Sequence, residues 1–269
     1  MTGQESHAIE IDTSKPHPAR MYDWFLGGKD NYPVDEEMAK QLLSVDARGG
    51  DMARVNRAFM HRATRWLAEQ GIRQFLDIGT GIPTEPNLHQ IAQGTAPDAR
   101  IVYCDNDPIV LAHAAALLRS TPQGATEYIQ ADARDPEVIL ERAGQVLDFD
   151  QPIALSLLAL LHFLDDEDGA ADLVDRLVER LPSGSYLVLS QTTGDFDPEG
   201  AEKASALYKA RGMTLRLRSH AEFSTFFGGL ELVEPGVTLS ADWHPELGPV
   251  VDVPGDEPIP GYAGVARKA

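Results

Sequence analysis

Three short apolar runs end on or beside an aspartate: Asp105 follows Asp77 by 28 residues, and Asp132 follows Asp105 by 27. That spacing matches one strand-plus-helix unit of roughly 30 residues. The segments between the runs have helical periodicity, and such alternation builds a mostly parallel sheet with helices on both faces. The pattern predicts strands at 74–78, 101–104, 127–130, 153–158 and 186–190. Two late runs, 230–233 and 262–266, are expected to close the sheet edge. In an open α/β sheet, ligands bind beyond the carboxyl ends of the strands near the point where strand order reverses. The three aspartates therefore fall where a ligand belongs.

Upstream, the periodicity predicts helices over 34–43 and 52–70. Met52, Val55, Phe59, Ala63 and Trp66 share a face of the second, Asp51 is its expected N-cap and Gly71 its stop. Residues 1–20 carry Pro16 and Pro18 without a usable period, so no element is assigned there and the start is expected to be mobile or draped over the surface. Later helices are expected over 198–211 and 220–227, the latter opened by the capping box Ser219-His220-Ala221-Glu222. No repeat or linker divides the chain. The expected organisation is an N-terminal strap or lid with a helix over 1–51, followed by one α/β domain over 52–269.

Composition narrows the function. A net charge of −19 opposes the phosphate backbone of DNA or RNA, so nucleic acid is a poor partner. The single cysteine, Cys104, allows no intrachain disulfide. The N-terminus does not read as a secretory signal, and the longest strongly apolar uncharged run, 151–164, is too short to cross a bilayer. These features predict a soluble cytoplasmic protein. The eight histidines form no evident metal-ligand cluster, so no metal is expected.

Four places after strand ends carry the chemistry. In Asp77-Ile78-Gly79-Thr80-Gly81, the two glycines let the chain turn sharply and approach a ligand closely. Pro83 suits the first turn of the next helix. Gly79, Gly81 and Thr84 also lie at the spacing of a dinucleotide fingerprint whose last glycine is replaced. A carboxylate at Asp77, however, serves an ammonium better than a pyrophosphate. S-adenosylmethionine carries that ammonium and no phosphate. The second place is Asp105-Asn106, where a carboxylate can accept both ribose hydroxyls; Asp107 and Pro108 are read as the start of the following helix. At the third, Asp132 with the amide of Ala133 fits the edge of an adenine, while Asp135 and Pro136 open a helix. The fourth runs from Leu158 through Leu161-His162-Phe163 to Asp165, the expected N-cap of an acidic helix start. His162 is read either as an acceptor-side residue or as a packed core histidine.

In order, these motifs resemble those of the class I S-adenosylmethionine-dependent methyltransferases. The segment from Pro18 to Tyr32, with Asn56-Arg57-Ala58-Phe59 and 71–81, is similar to an actinobacterial methyltransferase family long catalogued as a domain of unknown function. The resemblance implies a seven-stranded doubly wound sheet of order 3-2-1-4-5-7-6 with strand seven antiparallel. It places S-adenosylmethionine across strands one, two and four, and so against Asp77, Gly79, Thr80, Gly81, Asp105, Asn106, Asp132, Ala133 and Leu158. Pro83 stands where many members carry a third glycine. The family implies no substrate.

Four aromatics and a Gly-Gly pair crowd residues 22–32. They are read as a lid, with Tyr22, Trp24, Asn31, Tyr32 and His162 as substrate or lid residues, or as a strap packing its aromatics on the core. His162 and Tyr22 are the catalytic candidates. The expected reaction is in-line methyl transfer to a small molecule, with a base needed only for an acceptor that must lose a proton. An NAD-linked oxidoreductase, a metal-dependent methyltransferase and a cofactor-binding regulator are the alternatives.

Overall fold

The computed structural model describes residues 12–117 and 119–269, with the backbone alone over 114–117. The expectation for the start of the chain, residues 1–11, lies outside the described residues. Helix α1 (Pro18–Phe25) begins where no element was assigned. His17 caps it by accepting from the Ala19 amide, Pro18 supplies a preset first turn, and Gly27 ends it in the left-handed region at φ +81°. Helix α2 (Pro33–Val45) follows, capped at Tyr32 with the Asp35 carboxylate reaching back to the Tyr32 amide.

The long helix α3 spans Gly49–Glu69, three residues earlier than the periodicity indicated. Arg48, not Asp51, is its cap; Asp51 lies inside the first turn and pairs with Arg54. Gly71, at φ +93°, stops it as expected. There follow β1 (Gln74–Ile78), α4 (Leu88–Thr95), β2 (Arg100–Asp105), α5 (Pro108–Leu117), β3 (Ala125–Gln130), α6 (Pro136–Ala143) and β4 (Ala154–Leu158). Next come α7 (Ala170–Glu179), β5 (Tyr186–Thr192), α8 (Pro198–Ala210), α9 (His220–Ser224), β6 (Glu231–Leu232), β7 (Thr238–Leu239) and β8 (Gly261–Arg267).

Two expected helix starts move. Pro83 sits in a loop, and α4 begins only at Leu88, behind an Asn87–Gln90 capping box. Asp165 caps nothing: the chain turns through 165–169, and Gly169, at φ +81°, precedes α7. Of the acidic residues there, Asp166 serves a tertiary role, binding Arg218 and Arg216. The helix expected over 220–227 is α9 followed by a 3-10 turn at Thr225–Phe227.

The sheet order is β3-β2-β1-β4-β5-β8-β6, parallel through β5 and antiparallel at β8. β8 is the expected seventh strand. The additional strand is the two-residue β7, which shares β8's outer edge with β6 and pairs farther along it. Successive strand residues face opposite sides. Leu76, Ile78, Leu155 and Leu157 pack beneath α6 and α7 on one face, while Phe75, Ile101, Val188 and Val265 pack against α3 and the buried Trp243 on the other. Burial on both faces suits a largely parallel sheet.

The N-terminal helices lie across the carboxyl ends of the strands. Arg20, buried on α1, donates to Asp107 at 3.0 Å and faces Asp35 at 3.7 Å, while His17 contacts Asp107 at 3.2 Å. Asp107 itself opens α5 by accepting from the Ile109 amide. One buried ion cluster thus fastens α1 and α2 to the loop after β2.

Candidate active site

A cavity of about 620 Å³ opens at the carboxyl ends of β1, β2 and β4 and extends under α1. Asp77, Gly79, Thr80, Gly81, Asp105, Asn106, Asp132, Ala133 and Leu158 all line it. After β1, the amides of Gly79 and Thr80 donate to the Cys104 carbonyl, folding the loop back over β2. Gly79 and Gly81 take φ of +76° and +68°, and a Cβ on Gly79 would lie 2.7 Å from the Leu160 side chain. The positive φ favours glycine at both positions, and the Leu160 side chain crowds a Cβ at Gly79.

Asp105 braces this loop. One carboxylate oxygen accepts from the Gly81 amide at 2.8 Å and the other from the Asp107 amide at 3.0 Å. Burial raises its pKa, and the two amide bonds oppose that shift. Each oxygen retains accepting capacity after one amide bond, so the bracing does not consume the group. Asp132, half-buried, accepts from the Arg134 amide at 2.9 Å.

Asp77 is 7% exposed at the end of β1, and burial pushes its pKa up to about 6, against stabilisation by a Thr80 hydrogen bond and the Arg57 charge. Arg57, on α3, lines the same cavity and donates to the carbonyls of Thr84 and Pro86. A carboxylate without a bonded cation and a nearby guanidinium are the complement of a zwitterion. Burial pushes the Cys104 thiol up to about 12, which removes it as a nucleophile.

Away from these residues the lining is mainly apolar. Tyr22 lines it, its hydroxyl donating to the Ala53 carbonyl at 3.0 Å and accepting from Asn56 at 2.9 Å. Asn56 in turn accepts from the Ser190 hydroxyl, which accepts from the Ala159 amide. This chain joins α1, α3, β5 and the end of β4. His162 also lines the cavity, on a buried 3-10 turn, with Nδ1 unpartnered. Its pKa is lowered to about 3 by burial and by the Arg218 charge, so the ring is neutral at physiological pH.

Of the residues read as lid or substrate candidates, Trp24, Asn31 and Tyr32 are absent from the cavity lining. Trp24 packs edge-on to Phe25 and lies 5.8 Å from the Lys40 ammonium. Asn31 donates to Asp23 at 2.9 Å, and Tyr32 caps α2 beneath the Arg20 guanidinium. These side chains hold the N-terminal helices and the loop between them in shape. Conversely, the sequence reading assigned no role to Arg57, Asn56, Gln191 or Arg218. Asn56 and Arg57 stand out only as part of a motif, and Gln191 lies one residue beyond the expected end of β5. For Arg218 the available signal was the alternation Leu215-Arg216-Leu217-Arg218. Among the described residues, no group of three or more metal-binding side chains converges, and no helix is long and apolar enough to cross a membrane.

The model of the S-adenosyl methyltransferase family matches residues 4–269. The chain is similar to a DUF574 family protein from Streptomyces avermitilis, with 49% identity, a TM-score of 0.91, and coverage of 97% of this chain and 100% of the other. It is similar to a Thermobifida fusca protein assigned as a methyltransferase, at 38% identity and TM-score 0.86, covering 98% and 99% of the two chains. A methyltransferase from Anabaena variabilis shares the fold at 16% identity and TM-score 0.50, over 73% of this chain and 77% of its own. Among curated proteins none matches. The chain therefore belongs to the S-adenosyl methyltransferase family and is an S-adenosylmethionine-dependent methyltransferase.

Proposed function

We propose that this enzyme transfers the methyl group of S-adenosylmethionine to a small-molecule acceptor by in-line displacement. The observation that carries the reading is a single cavity whose carboxylate-lined end runs into an apolar chamber beneath the N-terminal helices. The residues present fit the cofactor's parts. Asp105 would accept the ribose hydroxyls, and Asp132 with the Ala133 amide would take the adenine edge. Asp77 would pair with the amino group, which stabilises the ionised carboxylate that burial disfavours, and Arg57 would meet the carboxylate. Gly79, Thr80 and Gly81 let the backbone approach closely, while Leu158 and Asn106 border the site.

The sulfonium supplies a methyl group already activated for attack by an acceptor lone pair. The protein's part is alignment and exclusion of water, which account for several kcal/mol of barrier lowering, ~7–11 in well-aligned cases. His162 suits a neutral hydrogen-bonding role better than a base, because a pKa near 3 leaves it a weak proton acceptor. Tyr22, its pKa raised by burial, is engaged by Asn56 and Ala53 and serves as a fixed wall. Residues 12–46 form the cap that makes the chamber compact, and the charge of −19 opposes a polynucleotide acceptor.

Incubation with methyl-labelled S-adenosylmethionine and a fractionated cell extract tests the reading. Label is expected in the small-molecule fraction; label confined to RNA or protein would refute it.

A further inference from the structure

The inner chamber is lined by Met21, Phe25, Phe163, Tyr208, Met213 and Leu215, contributed by α1, the turn after β4, α8 and the chain beyond it. Beyond the cofactor end, the charged side chains lining the cavity are Asp46, Arg48, Asp168 and Asp197. Each is engaged or open to water: Asp46 pairs with Arg48 at 2.8 Å, Asp197 caps α8 by accepting from Gly200, and Asp168 lies on an exposed turn. An ion held against the apolar lining would lose its hydration without gaining a partner there.

Two neutral polar side chains are buried in the same wall. Gln191 and His162 are 3% and 5% exposed, both line the cavity, and each keeps a buried nitrogen without a partner, Nε2 of Gln191 and Nδ1 of His162. Arg218, itself buried, sets both. Its Nη1 donates to the Leu161 carbonyl at 2.8 Å and to Gln191 Oε1 at 3.2 Å, while Nη2 donates to the Leu164 carbonyl at 2.8 Å. The guanidinium therefore clamps the turn that carries His162 and claims the oxygen of the Gln191 amide. The amide's free end is its NH₂, a donor. Unsatisfied buried polar groups are costly, and of the six such side-chain atoms among the described residues only these two belong to cavity-lining residues, where a bound group met by a small side-chain shift would complete them.

Resting on the small-molecule reading above, we propose that the acceptor is an uncharged, mainly apolar molecule whose hydroxyl or carbonyl oxygen is recognised by the Gln191 amide beside His162. A hydroxyl complements either kind of group, since its oxygen can accept from an amide NH₂ and its hydrogen can donate to an imidazole nitrogen. The neutrality of His162 belongs to the same design: a charged imidazole beside Arg218 would repel cations and attract anions, and burial with that neighbour keeps it uncharged.

The test uses the full-length enzyme loaded with S-adenosylhomocysteine, titrated calorimetrically with naphthol, naphthoate and naphthylmethylammonium. These probes share one apolar body and differ in charge. Naphthol is expected to bind at least about tenfold more tightly than either ion. Gln191→Leu is expected to weaken naphthol binding about tenfold while S-adenosylhomocysteine affinity is unchanged. Gln191→Glu keeps a partner for Arg218 and is expected to shift the preference toward the ammonium probe. A charged probe bound as tightly as naphthol, or a Gln191→Leu protein with unchanged naphthol affinity, would overturn the inference while leaving methyl transfer intact. Failure to bind S-adenosylhomocysteine at all would overturn both.

Discussion

At the proposed cofactor end of the cavity, the polar groups come from strand ends and tight turns: Asp77 and Asp105 stand at the ends of β1 and β2, Asp132 follows β3, and backbone amides brace the middle one. At the proposed acceptor end, by contrast, the wall is gathered from α1, α8, the turn after β4 and the segment 213–217, and its polar pair is neutral. The first end is dictated by local chain geometry and the second by tertiary packing. Burial acts on both but in opposite directions on the acidity scale. It pushes Asp77 up to about 6 and His162 down to about 3, in each case favouring the uncharged form. Only Asp77 has a nearby cation, Arg57, that offsets the effect.

The largest expected effect that would break this comparison is at Asp105. Asp105→Ala should weaken S-adenosylhomocysteine binding by ~1–3 kcal/mol, since it removes the proposed ribose acceptor and the brace on the Gly81 amide. Calorimetry on protein with an unchanged circular dichroism spectrum checks it. Unchanged affinity would place the ribose elsewhere and dissolve the distinction between the two ends.

The next effect is a pH dependence confined to the cofactor end. With its pKa raised to about 6, Asp77 takes up a proton in the cofactor-free protein as pH falls through that value, and this proton must leave before an ammonium can pair with it. Affinity for S-adenosylhomocysteine should therefore fall about tenfold from pH 7 to pH 5. The stability of the cofactor-free protein should move the other way, rising slightly as pH drops from about 6 towards the ordinary carboxylate range, because the folded state binds the extra proton. Titrations across that range, repeated on Asp77→Asn, separate this group from others; a variant with the same pH slope would remove Asp77 from the account. His162 should contribute no inflection between pH 5 and 8.

How much of this was legible beforehand follows from the same contrast. The spacing of Asp77, Asp105 and Asp132 revealed the strand periodicity and the places after strand ends, because a parallel sheet repeats its units along the sequence. Sheet order came through the family resemblance, and the added β7 is only two residues long, too short for a periodic signal. Cap positions failed where tertiary contacts prevailed: Asp165 and Asp51 look like N-caps, yet the helices start at Ala170 and Gly49. The acceptor wall was largely illegible. Arg218 and Gln191 are 27 residues apart and meet only through the fold. The dense aromatics of 22–32 marked out the segment but left its geometry open. Tyr22 alone among the named lid residues of α1 and its following loop lines the cavity, because Trp24, Asn31 and Tyr32 are taken up in shaping the cap itself.

The smallest effect sharpens the role of that cap. Tyr22→Phe removes a hydroxyl that joins α1 to α3, leaving the Ala53 carbonyl and the Asn56 amide short of a partner. A loss of about 1 kcal/mol in chemical denaturation is expected, with cofactor affinity nearly unchanged. A large drop in cofactor affinity instead would mean that the cap and the cofactor end are not separable.

The separation of the two ends is tested most directly by a crystal structure with S-adenosylhomocysteine bound. The expected result has adenine at Asp132 and Ala133, ribose on Asp105, the amino acid end between Asp77 and Arg57, and the thioether sulfur facing an open chamber walled by His162 and Gln191. Adenosine lodged in that chamber, or an amino acid end that leaves Asp77 without a cationic partner, would contradict it.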